Sequence, residues 1–260
     1  MNIQDQLRKK YAQLQGNNSG DKSNDDFLKK FMQLDMGETE VRILPAQDSD
    51  RDLFYAETAI HRIQDKNIHC PRKKDDKCPI CDLYFNVWDH IKTIGRDNPE
   101  AEPFIQFARS IRAGERYYVN AIDRKSGDVK ILSVGKGLFT KFMDTIFDED
   151  YGDITDLQEG FDFKITKEMK STSMGNFPNY DKSKPKPRST PAGSDADIRE
   201  WMDSLHDIHG LVKLKEYDEL KTMADSLQET IFPKTVMSPD AAESFDSESS
   251  ILDDDLGDYM

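Results

Sequence analysis

Three cysteines are all the sequence holds, Cys70, Cys78 and Cys81, and they fall within twelve residues of one another. Cys78-Pro79-Ile80-Cys81 is a thiolate pair at the spacing that lets both sulfurs of a tight knuckle reach one tetrahedral zinc ion. An odd cysteine count is a poor disulfide framework, and in a reducing compartment such a cluster points to a metal. A fourth ligand is needed, and His61 and His69 compete for the place. His69 adjoins Cys70, and successive side chains of extended backbone point to opposite faces, so His61 is preferred, with His90 a remote third choice. Three thiolates and one imidazole leave no open position for a catalytic water. The expected cofactor is therefore one structural Zn2+, weighed against a redox Cys-x-x-Cys and against unligated core cysteines. Arg62, Lys66, Arg72, Lys73, Lys74 and Lys77 surround these ligands. Their charge favours thiolates and suits a phosphate backbone, although a merely solvated loop would carry it too.

A second chemistry is suggested by cations interleaved with aromatics. From Ile105 to Lys141 lie Arg109, Arg112, Arg116, Arg124, Lys125, Lys130, Lys136 and Lys141 against Glu115, Asp123 and Asp128, a balance of +5, with Tyr117 and Tyr118 in their midst. A second stretch, Lys164 to Arg188, is also +5 and holds Phe177, Tyr180 and Lys182 within Asn176-Phe177-Pro178-Asn179-Tyr180-Asp181-Lys182-Ser183. Single-strand binders pair a cationic groove with aromatic faces on which bases stack, each stack contributing ~1–3 kcal/mol. Adjacent tyrosines on a strand face opposite ways, so one of Tyr117 and Tyr118 is expected in the core and the other in the groove. The sequence does not choose between them.

The elements that must position these residues are mainly strands. Val41-Arg42-Ile43-Leu44, Leu53-Phe54-Tyr55-Ala56, Thr58-Ala59-Ile60-His61, Phe104-Ile105-Gln106-Phe107-Ala108, Arg116 to Ile122, Val129 to Val134 and Phe161 to Thr166 read as strands, with Ser126-Gly127 as a hairpin turn. Helical periodicity is found over 82–93, 138–147, 194–205 and 215–231, while 99–103 reads as a break and 170–190 as a loop. The fold class expected is α+β, mainly β: a small barrel with an inserted structural zinc subdomain and flanking helices.

The net charge of −14 over 260 residues is unevenly spread. No Lys or Arg follows Lys234, whereas Asp240, Glu243, Asp246, Glu248, Asp253, Asp254, Asp255 and Asp258 do, leaving 36 basic against 42 acidic residues before them. With 36% hydrophobic and 33% charged residues, part of the chain cannot bury enough apolar surface to offset its ordering entropy. The organisation expected is a basic N-terminal segment, 1–20, containing Arg8-Lys9-Lys10; a core, 21–234, with its zinc subdomain at about 56–95; and a disordered acidic tail, 235–260. No apolar run approaches the ~18–20 residues of a membrane span, and the N-terminus lacks a secretory signal, so a cytosolic protein with no membrane partner is expected.

In order along the chain, Val41-Arg42-Ile43-Leu44-Pro45, His61, Cys70 with Cys78-Pro79-Ile80-Cys81, Arg116-Tyr117-Tyr118-Val119-Asn120-Ala121-Ile122, Gly135-Lys136 and Phe177 to Ser183 resemble the single-stranded DNA-binding, helix-destabilising proteins of T-even-like bacteriophages. The acidic, Asp-Leu-rich terminus completes the series. The resemblance implies an OB-type five-stranded barrel, zinc held by His61, Cys70, Cys78 and Cys81, and a DNA cleft lined by Tyr117, Tyr118, Phe177 and Tyr180. It further implies that the segment with Arg8, Lys9 and Lys10 contacts the neighbouring protomer, making binding cooperative. Two departures stand out: the interval from His61 to Cys70 is shorter than the family's, and Arg8-Lys9-Lys10 is not followed by the usual Ser/Thr pair.

The function expected is sequence-independent coating of single-stranded DNA in phage replication, recombination and repair, in the cytoplasm of the infected host. Arg109, Arg112, Arg116, Lys130, Lys136 and Lys182 would meet the backbone. The acidic tail would compete for the cationic groove until DNA displaces it, and Asp253, Asp254, Asp255 and Leu256 would then recruit replication and recombination proteins. A duplex-reading regulator would need a recognition helix, and none has that charge pattern. An enzyme would need clustered carboxylates or an open metal site; Asp148-Glu149-Asp150 is the core candidate and reads as a solvated turn.

Overall fold

The computed structural model describes residues 26–48, 52–172 and 175–232. Its strands are β1 (Gly37–Ile43), β2 (Tyr55–Ile63), β3 (Lys66–His69), β4 (Ala113–Asp123), β5 (Val129–Val134), β6 (Phe163–Thr172), β7 (Gly175–Asn179) and β8 (Lys184–Pro185). They form one sheet in the order β3-β2-β4-β1-β6-β7, with β5 on β4 and β8 on β6. All the pairings are antiparallel. The molecule is thus mainly β, with β1, β2, β4, β5 and β6 as its five long strands and helices packed around them.

β4 is the hub. Residues Ala113 to Val119 pair with β2, Ala121 to Asp123 pair with β1, and Tyr117 to Ile122 pair with β5. Its run from Tyr117 to Ile122 is buried at every position, without the alternation of a half-solvated strand. The reason is cover on both sides. Tyr117, Val119 and Ala121 join the main core with Val41, Ile43, Phe142 and Phe163, while Tyr118 packs with Ala56, Ile60, Ile131 and Ile208.

The helices are α1 (Pro79–Ile94), α2 (Glu102–Ile111), α3 (Lys136–Ile146), α4 (Asp195–Asp203) and α5 (Tyr217–Ile231). In α1, proline opens the first turn and Ile80, Leu83, Val87 and Ile91 form the buried stripe at helical spacing. Gly95 then ends it with φ of 90°, a conformation free of cost for glycine. α5 buries Leu220 and Ala224 and packs Leu227 and Ile231 on the same core, so it seals the cysteine-bearing subdomain.

Several expectations need correction. The stretch from Phe104 to Ala108 is not a strand but the middle of α2: Ile105, Ala108 and Ile111 are buried at intervals of three, and Pro103 sits in the first turn. A short apolar run fits either period, and its packing on α1 decided the outcome. The break at 99–103 is a 3-10 turn, Pro99–Ala101, leading into that helix. The two strands read on either side of Glu57 are one, β2. The stretch read as a loop from 170 contains β7 and β8, and β6 starts later and runs further than expected.

The segment after α4 straps the outer face of β4 and β5. Asn120 Nδ2 donates to His206 O and Asn120 Oδ1 accepts from His206 N, each at 3.0 Å. His206 Nε2 lies 3.1 Å from Val129 O, Ile208 is buried against the sheet, and Leu214 forms a bridge with His69. The strap then enters α5. It therefore ties this face of the sheet to the cysteine-bearing subdomain. No helix among the described residues is long and apolar enough to cross a membrane.

Candidate metal centre and nucleic-acid interface

His61, Cys70, Cys78 and Cys81 are buried and converge, each offering a ligand atom within 4.8 Å of the others. Each is placed by a different element. β2 carries His61, Cys70 follows β3 with its N–H bonded to Ala59 O at 2.8 Å, Cys78 caps α1, and Cys81 lies in its first turn. Ile111 O, at the end of α2, lies 2.7 Å from His61 Nδ1. That carbonyl can only accept, so the proton sits on Nδ1 and Nε2 faces Cys78 Sγ at 3.4 Å and Cys81 Sγ at 3.6 Å. Cys70 Sγ is 3.4 Å from Cys81 Sγ. Zinc–sulfur bonds of ~2.3 Å at tetrahedral angles set ligand atoms ~3.8 Å apart. The donor set and spacing fit that ion, with a small outward adjustment.

The thiol of Cys78 is held well below its usual range by hydrogen bonds with Cys70 and Cys81 and by His61, against the effect of burial. Thiolate at the N-terminus of α1 also meets the positive end of the helix dipole. His69 is engaged elsewhere, with Nδ1 3.0 Å from Thr58 Oγ1 and a pKa lowered by burial. His90 sits edge-on between Phe104 and Phe232 at 4.5 and 5.2 Å.

The cations beside the cysteines divide by partner. Lys73 Nζ bridges Glu57 and Glu115 at 2.6 and 2.5 Å, clamping the turn after Cys70 to β2 and β4, and its pKa is raised accordingly. Arg72 lies over the Phe85 ring at 4.9 Å. Glu57 also accepts from Tyr117 Oη at 3.3 Å.

Tyr117 and Tyr118 do face opposite ways, yet both are covered, at 9% and 7% exposed. Tyr117 stacks on Phe139 at 3.8 Å with the planes 2° from parallel, and burial beside Glu115 and Glu57 pushes its pKa to about 12. Tyr118 meets Phe31 edge-on at 6.3 Å. The ring expected to stand in the groove is therefore packed in this conformation. More accessible aromatics flank the stack: Phe54 and Tyr55 are half-buried and lie 6.4 and 4.7 Å from Phe139.

The other residues separate into groups. Arg112 caps α2 and is exposed, Arg116 is half-buried at the start of β4, and Lys136 opens α3 two residues beyond Val134, which pairs with Tyr117. Arg109 is exposed on α2 rather than on a strand. Lys130 lies opposite Ala121, five residues along β4 from Arg116, and is paired with Asp123 at 3.4 Å. Phe177 is on β7, and Lys182 is paired with Glu168 at 2.7 Å. Tyr180 is half-buried and within electrostatic reach of Arg116. Asp148, Glu149 and Asp150 form an exposed turn after α3. Residues Arg8, Lys9, Lys10, Asp253, Asp254, Asp255 and Leu256 lie outside the described residues.

One feature of β1 was not anticipated. Arg42 is fully buried, bonded to Asp156 O at 2.9 Å, Thr190 O at 2.7 Å and Asp162 Oδ1 at 3.3 Å. Asp162 is shared with Arg124 at 2.6 Å. Val41-Arg42-Ile43 reads as ordinary alternation with the charge facing solvent, so the sequence carried no signal of this burial, which comes from the segments that cover that face.

No curated protein matches the chain. A family model described as gp32 DNA binding protein like matches residues 35–231, which takes in all the strands, the metal-ligand group, the strap and α5.

Proposed function

The chain belongs to the gp32-like DNA-binding protein family, and from that premise we propose that it binds single-stranded DNA cooperatively and without sequence preference. It coats and protects single strands during phage DNA replication, recombination and repair, in the cytoplasm of the infected host. The observation that carries this reading is the first half of β4, where Arg116 lies within electrostatic reach of Tyr118 and Tyr180. Tyr117, on the other face, stacks on Phe139 beside Tyr55, and Arg112 and Lys136 stand next to the ends of β4 and β5. Cations and aromatic faces in one place suit a flexible strand whose bases are free to stack.

Zn2+ is held by His61, Cys70, Cys78 and Cys81 as a structural ion; bound there, it supplies cross-links among β2, β3 and α1 and no catalysis. Arg109, Arg112, Arg116, Lys130, Lys136 and Lys182 meet phosphates, and Tyr117, Tyr118, Phe177 and Tyr180 serve the bases. Participation of Tyr117 and Tyr118 requires local opening, since both rings are packed. The segment bearing Arg8, Lys9 and Lys10 joins neighbouring protomers, and the tail with Asp253, Asp254, Asp255 and Leu256 competes for the cationic surface and recruits replication and recombination proteins. Support for these two roles comes from the sequence: its charge and its resemblance to the family.

The test is titration of the metal-loaded protein with poly-dT and with duplex DNA at several salt concentrations, following intrinsic fluorescence. Tight, quenching, steeply salt-dependent binding to the single strand is expected. Equal or stronger binding to duplex would overturn the reading.

A further inference from the structure

Strand alternation sorts the charges of β2 and β4 onto two faces. Glu57 lies opposite Tyr117, and Glu115 lies opposite Ala59; these side chains share the inner face, where Lys73 bridges both carboxylates. Arg116 lies opposite Thr58 on the other face. Thr58, Ile60 and Arg62 alternate along β2, so Arg62 projects from that same face, next to the end of the strand. Ile60 and Tyr118, also on this face, are buried with Ile208 of the strap; Arg116 lies half-buried between them, and Arg62 lies exposed near the end of β2.

Neither guanidinium has an ion pair or hydrogen bond with any described residue. This is unlike the other arginines of the sheet: Arg42 and Arg124 share Asp162. Arg116 is nevertheless half-buried, and burial followed by the repulsion of Arg62 lowers its pKa, while the Tyr118 and Tyr180 phenols act the other way. A half-buried cation repelled by a second arginine on the same face, with Glu57 and Glu115 directed to the opposite face, is an unfavourable arrangement until an anion joins them.

We infer that Arg62 and Arg116 together form a backbone-phosphate site on the outer face of β2 and β4, with Arg62 as a nucleic-acid contact additional to those assigned above. The inference rests on the single-strand-binding reading. A planar guanidinium presents paired donors that match phosphate oxygens, and two of them converging on one stretch of backbone give a contact that a single exposed lysine does not. The phosphate also relieves the repulsion between them.

The experiment is salt-dependent titration of metal-loaded wild type, Arg62→Gln, Arg116→Gln, the double variant and Arg62→Lys with poly-dT, alongside Lys125→Gln as an exposed cation away from the site. Arg62→Gln is expected to weaken binding about tenfold and to lower the slope of log K against log salt by ~0.7. The double variant is expected to lose less than the product of the single losses. Arg62→Lys should keep the slope and lose part of the affinity, because it keeps charge without the paired donors. Unchanged thermal unfolding and zinc content in Arg62→Gln would separate a contact from a structural effect. Wild-type affinity and slope in Arg62→Gln, or a loss no larger than that of Lys125→Gln, would overturn the site while leaving single-strand binding standing. Failure of wild type to bind poly-dT would instead remove the functional reading itself, and this inference with it.

Discussion

The carboxamide of Asn120 holds the backbone of His206 at both ends, donating to its carbonyl and accepting from its N–H at 3.0 Å each, as a neighbouring strand would. Asn120 lies in the middle of β4, so this pair fastens the strap that leads to α5 directly to the hub of the sheet. Asn120→Ala removes both bonds and strands two backbone groups at a covered surface. A loss of about 2–3 kcal/mol is expected in urea unfolding, with metal stoichiometry unchanged. A loss below about 0.5 kcal/mol would show that the strap is held by Ile208 and its apolar neighbours instead.

Asp162 neutralises two arginines, one of them fully buried. Asp162→Asn keeps the shape and removes the charge, leaving Arg42 uncompensated; Arg42 Nε already lacks a partner. Destabilisation of about 3–5 kcal/mol is expected from chemical denaturation. Arg42→Met together with Asp162→Asn should recover part of that loss, because a buried pair replaced as a unit leaves no lone charge.

The loop that receives Arg42 has its own acid dependence. Asp156 accepts N–H bonds from Glu159 and Gln158, both at 2.7 Å, and these hold its pKa below the ordinary carboxylate range. A carboxylate whose folded pKa is depressed stabilises the fold above the unfolded value, and that contribution is lost as pH falls through the lower folded value. Asp156→Asn should therefore lower stability at neutral pH and make the unfolding midpoint less sensitive to acidification below about pH 4. Parallel acid dependence in variant and wild type would rule this out.

Metal removal should act locally first. The four ligands join β2, β3 and α1, and the core around them contains residues of α2 and α5. Chelation is expected to lower Tm by more than about 10 °C. Hydrogen exchange should rise in α1, β3 and α5 before it rises in β1 and β6. Cys78→Ser should reduce bound zinc from one per chain to near zero, read by metal analysis. Retention of full zinc by that variant would reject this ligand set.

Tyr180 is a half-buried aromatic within electrostatic reach of Arg116. Tyr180→Ala should weaken poly-dT binding by about 5- to 150-fold, the range of a lost base stack. Tyr180→Phe should bind nearly as wild type. Equal losses in both variants would assign the effect to the hydroxyl rather than to stacking.

What the sequence determined by itself was local chemistry. The spacing of Cys70, Cys78 and Cys81 identifies a metal knuckle, because two thiolates so close in the chain can meet without help from the rest of the fold. Alternation and turn residues located β1, β4 and β5, and periodicity located α1, α3 and α5, since each of these patterns is written into contiguous residues. Four features were decided only by tertiary structure. Phe104 to Ala108 became helix because the faces of α1 and the subdomain core reward a period of three to four there. The ring of His61, already preferred over His69 in the sequence, takes its orientation from the Ile111 carbonyl at the end of α2. Both Tyr117 and Tyr118 are covered because a strap from more than 80 residues downstream closes the second face of β4. Arg62 faces the same way as Arg116 because of a register between strands some fifty residues apart, and no pattern within either strand contains that register.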